Sequence, residues 1–330
     1  MRAAEKPAVL LLAHGSPDSV ADVPEFLRNV TGGRSIPAQV VEEIKHRYAL
    51  IGRSPLREIT FQQGGLLASE LKLPVYVGMR NWSPYIADVV AQMASDGMTN
   101  AVAICLAPQN SRTSVGLYRR ALFGDGSPTS SEARYPPMGR DPGFEIDFVE
   151  SWHDHPLLVQ AFAERLLQAW RPACAEYDRE VPVIFTAHSV PARTIAEGDP
   201  YEAQARQTAE LVAKSVSLGI DSWRFAFQSQ GMSGGPWLGP TVESAILALK
   251  ADGHSGVFIQ PIGFLCDHIE ILYDIDIVFR EFARQNGMRL WRAQSLNASP
   301  ALVRALADLT HSRLDSGHRG NRVRMQGART

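Results

Sequence analysis

The densest cluster of side chains able to do chemistry lies in the segment PIGFLCDHIEILYDIDIVF, toward the C-terminus. Its titratable members within ten positions are Asp267, His268, Glu270, Asp274 and Asp276. Asp267 is a residue type that caps helices, which predicts a helix beginning at His268. Glu270 and Asp274, four positions apart, then share one helix face, where their carboxylates could bind a cation in turn. Carboxylates in a first helical turn also favour the positive end of the helix dipole, so a structural role stays open.

A second candidate is His188, which follows the apolar run VPVIFTA and precedes Ser-Val-Pro. A histidine at the end of a strand projects from the sheet, where its neutral imidazole can bind a metal or accept a proton. A local hydrogen bond within the turn is the alternative role. Together His188 and Glu270 would form an open site with fewer ligands than the four of structural zinc. Such a site suits a metal that is handed on.

Short apolar runs alternate with segments of helical period, which predicts βαβ units, parallel sheets and the α/β class. The predicted strands are 8–13, 75–79, 101–106, 144–148, 182–187, 223–227 and 256–261. The predicted helices are 37–50, 56–72, 85–97, 155–176, 202–218, 241–252 and 267–286. Ligands of open α/β sheets bind outside the carboxyl ends of strands, and both His14 and His188 follow predicted strands. We therefore expect both histidines at ligand-binding edges.

A weak internal repeat favours two related lobes, because AHGSP at 13–17 and AHSVP at 187–191 both follow apolar runs. Residues 124–143 contain four prolines and four glycines, which predicts a loop between the lobes. The lobes are then 1–143 and 144–297. The tail, 317–330, is rich in Arg and Gly and is predicted to be disordered.

The composition excludes several classes of protein. The net charge of -2 gives no global basic field for nucleic acid. The three cysteines form no Cys-x-x-Cys pair, which argues against a zinc knuckle or a disulfide framework and fits a reducing cytoplasm. The first apolar run is too short for a signal peptide or a membrane span. No nucleotide cofactor is expected, since no Gly-x-Gly-x-x-Gly follows a predicted strand and no Walker A motif occurs.

A co-linear series of motifs spans residues 8–310. They are LLLAHGSPDS, RYALIGRSPLREIT, VYVGMRNWSPYI, LAPQNSRTSVGLY, TAHSVPARTIAEGDPY, SQGMSGGPWLGP, PIGFLCDHIEILYDID and LNASPALVRAL. In this order they resemble the ferrochelatase family. The resemblance implies two flavodoxin-like lobes around a porphyrin cleft, with a C-terminal helix, about 298–316, returning to the first lobe. It also implies an enzyme of haem biosynthesis that inserts Fe²⁺, its substrate metal, into a porphyrin.

The resemblance also assigns roles to residues. His188 and Glu270 match the residues that bind the incoming metal and manage pyrrole protons, while Asp274 would belong to an outer metal site. The porphyrin contacts carried over by position are His14, Arg47, Tyr48, Ser54, Tyr118 and Trp237.

Four departures from the family pattern qualify these roles. His14 stands where coproporphyrin-type relatives carry a tyrosine that reaches toward the iron, so axial contact by His14 is a hypothesis. Val278 replaces an acidic residue of the outer metal site. No cysteine cluster lies near the C-terminus, so no iron–sulfur cluster is expected. The segment 124–143 is longer than in compact relatives, and the sequence assigns it no role.

Two other functions stay open: a sirohydrochlorin-type cobalt or iron chelatase, and a non-catalytic haem carrier with His14 as its axial ligand. Coproporphyrin III is favoured over protoporphyrin IX as the substrate. The sequence leaves the oligomeric state open and favours a monomer, with porphyrin and ferrous iron as its partners.

Overall fold

The computed structural model describes residues 5–124, 143–231, 235–315 and 322–323. The chain forms two compact units, each with its own sheet. The first is drawn from Met1–Leu106, Ser114–Ser151 and Leu306–Thr330, and the second from Ala107–Thr113 and Trp152–Ala305. Most of the predicted loop 124–143 lies outside the described residues.

The first unit contains a sheet of four parallel strands: β1 (Pro7–Ala13), β2 (Val75–Met79), β3 (Asn100–Cys105) and β4 (Glu145–Val149). Their order is β2-β1-β3-β4, and the two-residue strand Arg322–Val323 adds to β4 in the antiparallel sense. The central strand β1 is fully buried from Ala8 to Leu12. Burial on both faces explains why it reads as a continuous apolar run rather than an alternating one.

Helices α1–α5 belong to the first unit, and one further helix spans the division between the units. The five are α1 (Val23–Val30), α2 (Ala38–Ile51), α3 (Leu56–Leu71), α4 (Ile86–Ser95) and α5 (Val115–Phe123). The further helix is Pro300–Asp315, whose residues from Leu306 onward cluster with the first unit.

The second unit contains a parallel four-stranded sheet in the order β6-β5-β7-β8. The strands are β5 (Val183–His188), β6 (Trp223–Gln228), β7 (Gly256–Pro261) and β8 (Arg289–Arg292). The helices are α6 (Pro156–Tyr177), α7 (Ala192–Ala196), α8 (Tyr201–Ser215), α9 (Val242–Ala251), α10 (Ile269–Leu272) and α11 (Arg280–Gln285), with a π-helix at Asp274–Phe279 before α11.

One apolar core of the second unit fixes the segment that carries Glu270. It contains Ile184 of β5 and Ile259 of β7, together with Ile271, Ile275 and Phe279 from α10 and the π-helix. These aliphatic and aromatic side chains are at most 4% exposed. Their burial presses the segment against the sheet and places its acidic residues near the carboxyl ends of the strands.

The α/β class and its two parallel sheets are confirmed, and all seven predicted strands are present. The predicted lobe boundaries were wrong in three places, because Ala107–Thr113 cluster with the second unit, residues 144–151 cluster with the first, and the second unit extends to Ala305. Residues 144–150 were assigned to the second lobe, but β4 pairs with β3 of the first sheet, because the Gly- and Pro-rich stretch precedes β4 rather than following it. The expected disordered tail, 317–330, lies outside the described residues except for Arg322–Val323, which form a short strand instead.

Candidate active site

His188 is the last residue of β5, at the carboxyl end of the second sheet. Its backbone carbonyl accepts a hydrogen bond of 2.9 Å from the Tyr201 hydroxyl. Its ring Nδ1 donates to the carbonyl of Ser189, and its Nε2 lies 3.3 Å from Oε1 of Glu270. Since a carbonyl and a carboxylate both accept hydrogen bonds, this geometry suits an imidazolium, with a proton on each nitrogen.

Glu270 lies in the four-residue helix α10, between two imidazoles. Its Oε1 faces His188, and its Oε2 lies 3.4 Å from Nε2 of His268. His268 was part of the acidic segment noted in the sequence, but it was not chosen as a site residue. The spacing His-x-Glu was the available signal, yet it could not show that the ring turns back toward the carboxylate.

The electrostatics of the pair favour the charged forms of both groups. Burial opposes protonation of His188, but the Glu270 carboxylate outweighs it and raises the pKa of His188 to about 9. Burial alone would raise the pKa of Glu270, but contact with His188, and then with His268, holds that pKa well below its ordinary value. The resting site is therefore a carboxylate paired with an imidazolium.

The end of β6 holds the helix that carries Glu270. Gln228 is the register partner of His188, and its side-chain amide donates a hydrogen bond of 2.8 Å to the backbone carbonyl of Glu270. The hydroxyl of the next residue, Ser229, donates to Oδ2 of Asp274. Asp274 begins the π-helix and also contributes to the raised pKa of His188. The structure thus brings His188, Glu270 and Asp274 into one neighbourhood of the second unit.

The predicted role of Asp267 as a helix cap was wrong. His268 occupies the N-cap position of α10 with an extended backbone. Asp267 is instead buried, and its carboxylate accepts hydrogen bonds from Arg292 at 3.2 Å and from the Asn297 amide at 2.9 Å. Arg292 also binds both carboxylate oxygens of Asp276, at 2.7 and 2.6 Å. These partners follow Asp267 by 25 and 30 positions, so local spacing could not reveal them.

Five of the six residues assigned to porphyrin binding lie in the first unit. His14 follows β1, with its Nδ1 3.1 Å from the carbonyl of Gly15 and its ring edge-to-face with Phe26. Gly15 has a φ of +85°, and a Cβ there would lie 2.9 Å from Trp82, so a side chain at this position would displace the turn.

The other four residues in the first unit occupy two helices and one helix start. Arg47 and Tyr48 lie in α2, where Arg47 forms an ion pair with Glu43 and Tyr48 is buried. Buried Ser54 accepts a hydrogen bond from the backbone NH of Leu56 at the start of α3. The remaining residue, Tyr118, is buried in α5 under the guanidinium of Arg80.

Trp237 is the sixth porphyrin-binding candidate and lies in the second unit. It forms an antiparallel bridge with Pro191, three positions after His188. Its indole rests against Gly231, where an added Cβ would come within 2.7 Å of the ring. Trp237 therefore lies in a loop that packs along the segment following His188.

Within residues 5–124, 143–231, 235–315 and 322–323, no helix is long and apolar enough to cross a membrane. No group of three or more His, Cys, Asp or Glu side chains in the same residues is arranged to hold a metal ion.

Comparison with known proteins identifies the family. A family model described as Ferrochelatase matches residues 6–314. A ferrochelatase from Acidobacterium capsulatum is 55% identical over 325 residues, covering 94% of this chain and 95% of the relative. The coproporphyrin III ferrochelatase of Bacillus subtilis is 31% identical, covering 94% and 98% of the two chains.

A solved structure supports the fold. The sirohydrochlorin chelatase of Bacillus subtilis subspecies spizizenii, in complex with cobalt, has a TM-score of 0.52 at 11% identity, covering 96% of this chain and 99% of that chain. At that identity the likeness concerns the fold alone. The match to the family model and the identity to named ferrochelatases go further: this chain belongs to the ferrochelatase family, the enzymes that insert ferrous iron into a porphyrin in haem biosynthesis.

Proposed function

We propose that His188 and Glu270 carry out the exchange of protons for iron in this ferrochelatase. The observation that supports the proposal is the pair of atoms His188 Nε2 and Glu270 Oε1, 3.3 Å apart, at the carboxyl end of β5. Both side chains are about one-third exposed, so a substrate can reach them. An imidazole and a carboxylate in contact can bind a divalent cation and move protons from the same place.

Insertion of iron exchanges two pyrrole protons for one Fe²⁺, so charge balances and no electron is transferred. In the resting pair the imidazolium of His188 is stabilised by Glu270. An approaching Fe²⁺ competes for the carboxylate and thereby weakens the hold on the proton of His188. His188 is about one-third exposed and releases that proton to solvent, after which neutral Nε2 accepts the first pyrrole proton. The second pyrrole proton leaves after Nε2 has passed the first to solvent, or by way of His268, which contacts the other oxygen of Glu270.

The six porphyrin contacts assigned by resemblance remain part of the proposal, and so does axial contact by His14. Asp274 is proposed as an outer metal group, and its carboxylate is bonded to Ser229. Family membership favours iron insertion over the two other functions considered from the sequence.

We also propose coproporphyrin III as the substrate. Four curated relatives named coproporphyrin III ferrochelatase, at 30–33% identity, support this choice. Coproporphyrin III carries additional propionates compared with protoporphyrin IX. Steady-state assays with each porphyrin should give a higher kcat/KM for coproporphyrin III; a preference for protoporphyrin IX would refute the substrate choice while leaving the roles of His188 and Glu270 intact.

The proposal also includes a monomeric cytoplasmic enzyme that neither binds nucleic acid nor uses a nucleotide cofactor or an iron–sulfur cluster. The wide separation of Cys105, Cys174 and Cys266 in the sequence supports the last point. Burial raises the thiol pKa of Cys105 and Cys174, and raises that of Cys266 to about 12, so none is poised as a thiolate ligand. Iron and acid-labile sulfide analysis of the purified protein tests the absence of a cluster.

The pH dependence of kcat/KM tests the proposed proton acceptor. His188 accepts a proton only in its neutral form, and its pKa of about 9 keeps it cationic at lower pH. Anaerobic assays should therefore show kcat/KM rising from about pH 7 toward about pH 9, because kcat/KM reports groups of the free enzyme. A flat profile over that interval would count against His188 as the proton acceptor.

A further inference from the structure

Ser229 has a backbone conformation that its position does not explain. Among the described residues, five that are not glycine have a positive φ: Lys72, Asp178, Ser217, Ser229 and Asn297. The first three follow helices, where a left-handed residue commonly ends the helix. Ser229 follows strand β6 and has a φ of +58°. A left-handed serine outside a helix end points to a constraint from its side chain.

The side chain of Ser229 supplies that constraint. Its hydroxyl donates a hydrogen bond to Oδ2 of Asp274, the first residue of the π-helix. The preceding residue, Gln228, donates to the backbone carbonyl of Glu270. Two consecutive residues of one strand end therefore hold the turn from Glu270 to Asp274 at both of its ends.

The same strand end is tied to His188. Gln228 is the register partner of His188, and its carbonyl accepts a hydrogen bond of 2.7 Å from the backbone NH of Ser189. A continuous series of direct contacts thus runs from the strand of His188, through Gln228 and Ser229, to the segment of Glu270 and Asp274. A small shift of that segment would change the distance between Nε2 of His188 and Oε1 of Glu270.

We infer that Ser229 is a positioning residue for metal delivery. By its hydrogen bond to Asp274 it keeps the Glu270 carboxylate at contact distance from the imidazole of His188. The inference rests on the proposed roles of His188 and Glu270. Groups that orient metal ligands through hydrogen bonds typically change metal affinity or activity by about 10- to 100-fold when they are removed. The loss should therefore appear in the use of iron and not in the binding of porphyrin.

The experiment uses Ser229→Gly with Ser217→Gly as its matched control. Ser217 has a φ of +59°, follows α8 and is exposed, so both substitutions remove a serine side chain from the same backbone conformation. Glycine adopts this conformation without strain, so neither variant should melt at a lower temperature. Ser229→Gly should raise the KM for Fe²⁺ about tenfold with an unchanged KM for porphyrin. Ser217→Gly should change neither constant.

Two further variants separate side-chain positioning from a backbone effect. Asparagine tolerates the left-handed conformation and carries an amide donor that can replace the serine hydroxyl. Ser229→Asn should therefore keep a near-normal KM for Fe²⁺, in contrast to Ser229→Gly. In an Asp274→Ala background, Ser229→Gly should have no further effect, since its partner is absent. An unchanged KM for Fe²⁺ in Ser229→Gly, or a full additional loss in the Asp274→Ala background, would overturn the inference.

His188→Ala, assayed alongside, distinguishes the two possible failures. If His188→Ala is inactive and Ser229→Gly behaves as wild type, the positioning inference alone is wrong. If His188→Ala keeps its turnover, the proposed function itself is wrong.

Discussion

The carboxylates of one ten-residue segment, 267–276, take part in two separate clusters of charged side chains. Only one of the two clusters has a cationic partner that can exchange a proton. In the first, Glu270 faces His188, and both side chains are about one-third exposed, at 32% and 35%. In the second, Asp267 and Asp276 bind Arg292, whose side chain is only 11% exposed. The positive partner decides the difference, because an imidazolium releases its proton near neutral pH and a guanidinium does not.

The surroundings of each cluster strengthen that difference. Burial opposes the charge of Arg292, but its hydrogen bonds to Asp276 and the charge of Asp267 prevail and raise its pKa further. The pKa of His188 is also raised, but only to about 9. A cation that binds the Glu270 carboxylate would lower this pKa and let His188 lose its proton near neutral pH. Neighbouring carboxylates thus stabilise the fold in the Arg292 cluster and, in the proposed function, take part in the chemistry in the His188 cluster.

The largest expected effect is that of His188→Ala. Removing the proposed proton acceptor should lower kcat by about 10²- to 10⁴-fold, the usual contribution of a general base. Porphyrin binding, followed by fluorescence quenching, should persist because the aromatic and basic contacts remain. Exposed His311 provides a control, since His311→Ala should keep normal turnover. Near-normal turnover in His188→Ala would show that the His188 cluster, like the Arg292 cluster, is not needed for proton exchange.

The structural cluster should respond in stability rather than in catalysis. Arg292→Met would leave the buried Asp267 carboxylate without its cation, which should lower the free energy of unfolding by about 3–5 kcal/mol. Urea denaturation measures the loss. Arg284→Ala, which breaks an exposed ion pair with Glu281, should change stability little. A stable Arg292→Met enzyme with a specific loss of iron insertion would show that this cluster also takes part in the chemistry.

Within the catalytic cluster, Glu270 and Asp274 should differ. Glu270→Gln should lower turnover by about 10²-fold, because it removes a cation ligand and the charge beside His188. Asp274→Asn should lower turnover only about tenfold, because Asp274 is expected to orient the metal-binding side chains rather than to bind the metal first.

The pH profile separates the two substitutions further. Without the Glu270 charge the pKa of His188 falls, so the rise of kcat/KM with pH should move to lower pH in Glu270→Gln. The Asp274 carboxylate raises that pKa less than Glu270 does, so Asp274→Asn should move the profile less. Equal losses and equal shifts would mean that the two carboxylates act as one unit.

Much of the fold could be predicted because its signals are local. The buried strands β1, β5 and β7 read as continuous apolar runs, and long helices such as α6 have a clear period. Strand β8 was missed because its four residues, RLWR, include two arginines and resemble a polar loop. Helices α1, α5 and α7 were also missed, and each has nine residues or fewer, too short for a clear period.

In the candidate site, too, residues with a local sequence signal could be predicted and contacts between distant segments could not. His188 and Glu270 could be chosen from local context, the end of an apolar strand and an acidic helix start. The partners of Asp267 and Asp274 could not, because Arg292 and Ser229 approach from other strands. The π-helix at Asp274–Phe279 was likewise hidden, since a helical period does not distinguish it from an α-helix.

The smallest expected effect concerns His14, the strand-end histidine of the first unit, whose proposed role is to hold the product. Its ring is fixed by an edge-to-face contact with Phe26 and lies beside Gly15, at the carboxyl end of β1. If it ligates iron after insertion, the iron porphyrin complex should show the absorption of a histidine-ligated haem. His14→Ala should lose that spectrum and release product several-fold faster, with little change in the insertion step, because the proposed proton acceptor is His188. The resemblance places a tyrosine at this position in coproporphyrin-type relatives, so His14→Tyr should replace the spectrum with that of a phenolate ligand. An unchanged product spectrum in His14→Ala would mean that the imidazole only bonds its own turn, through the carbonyl of Gly15.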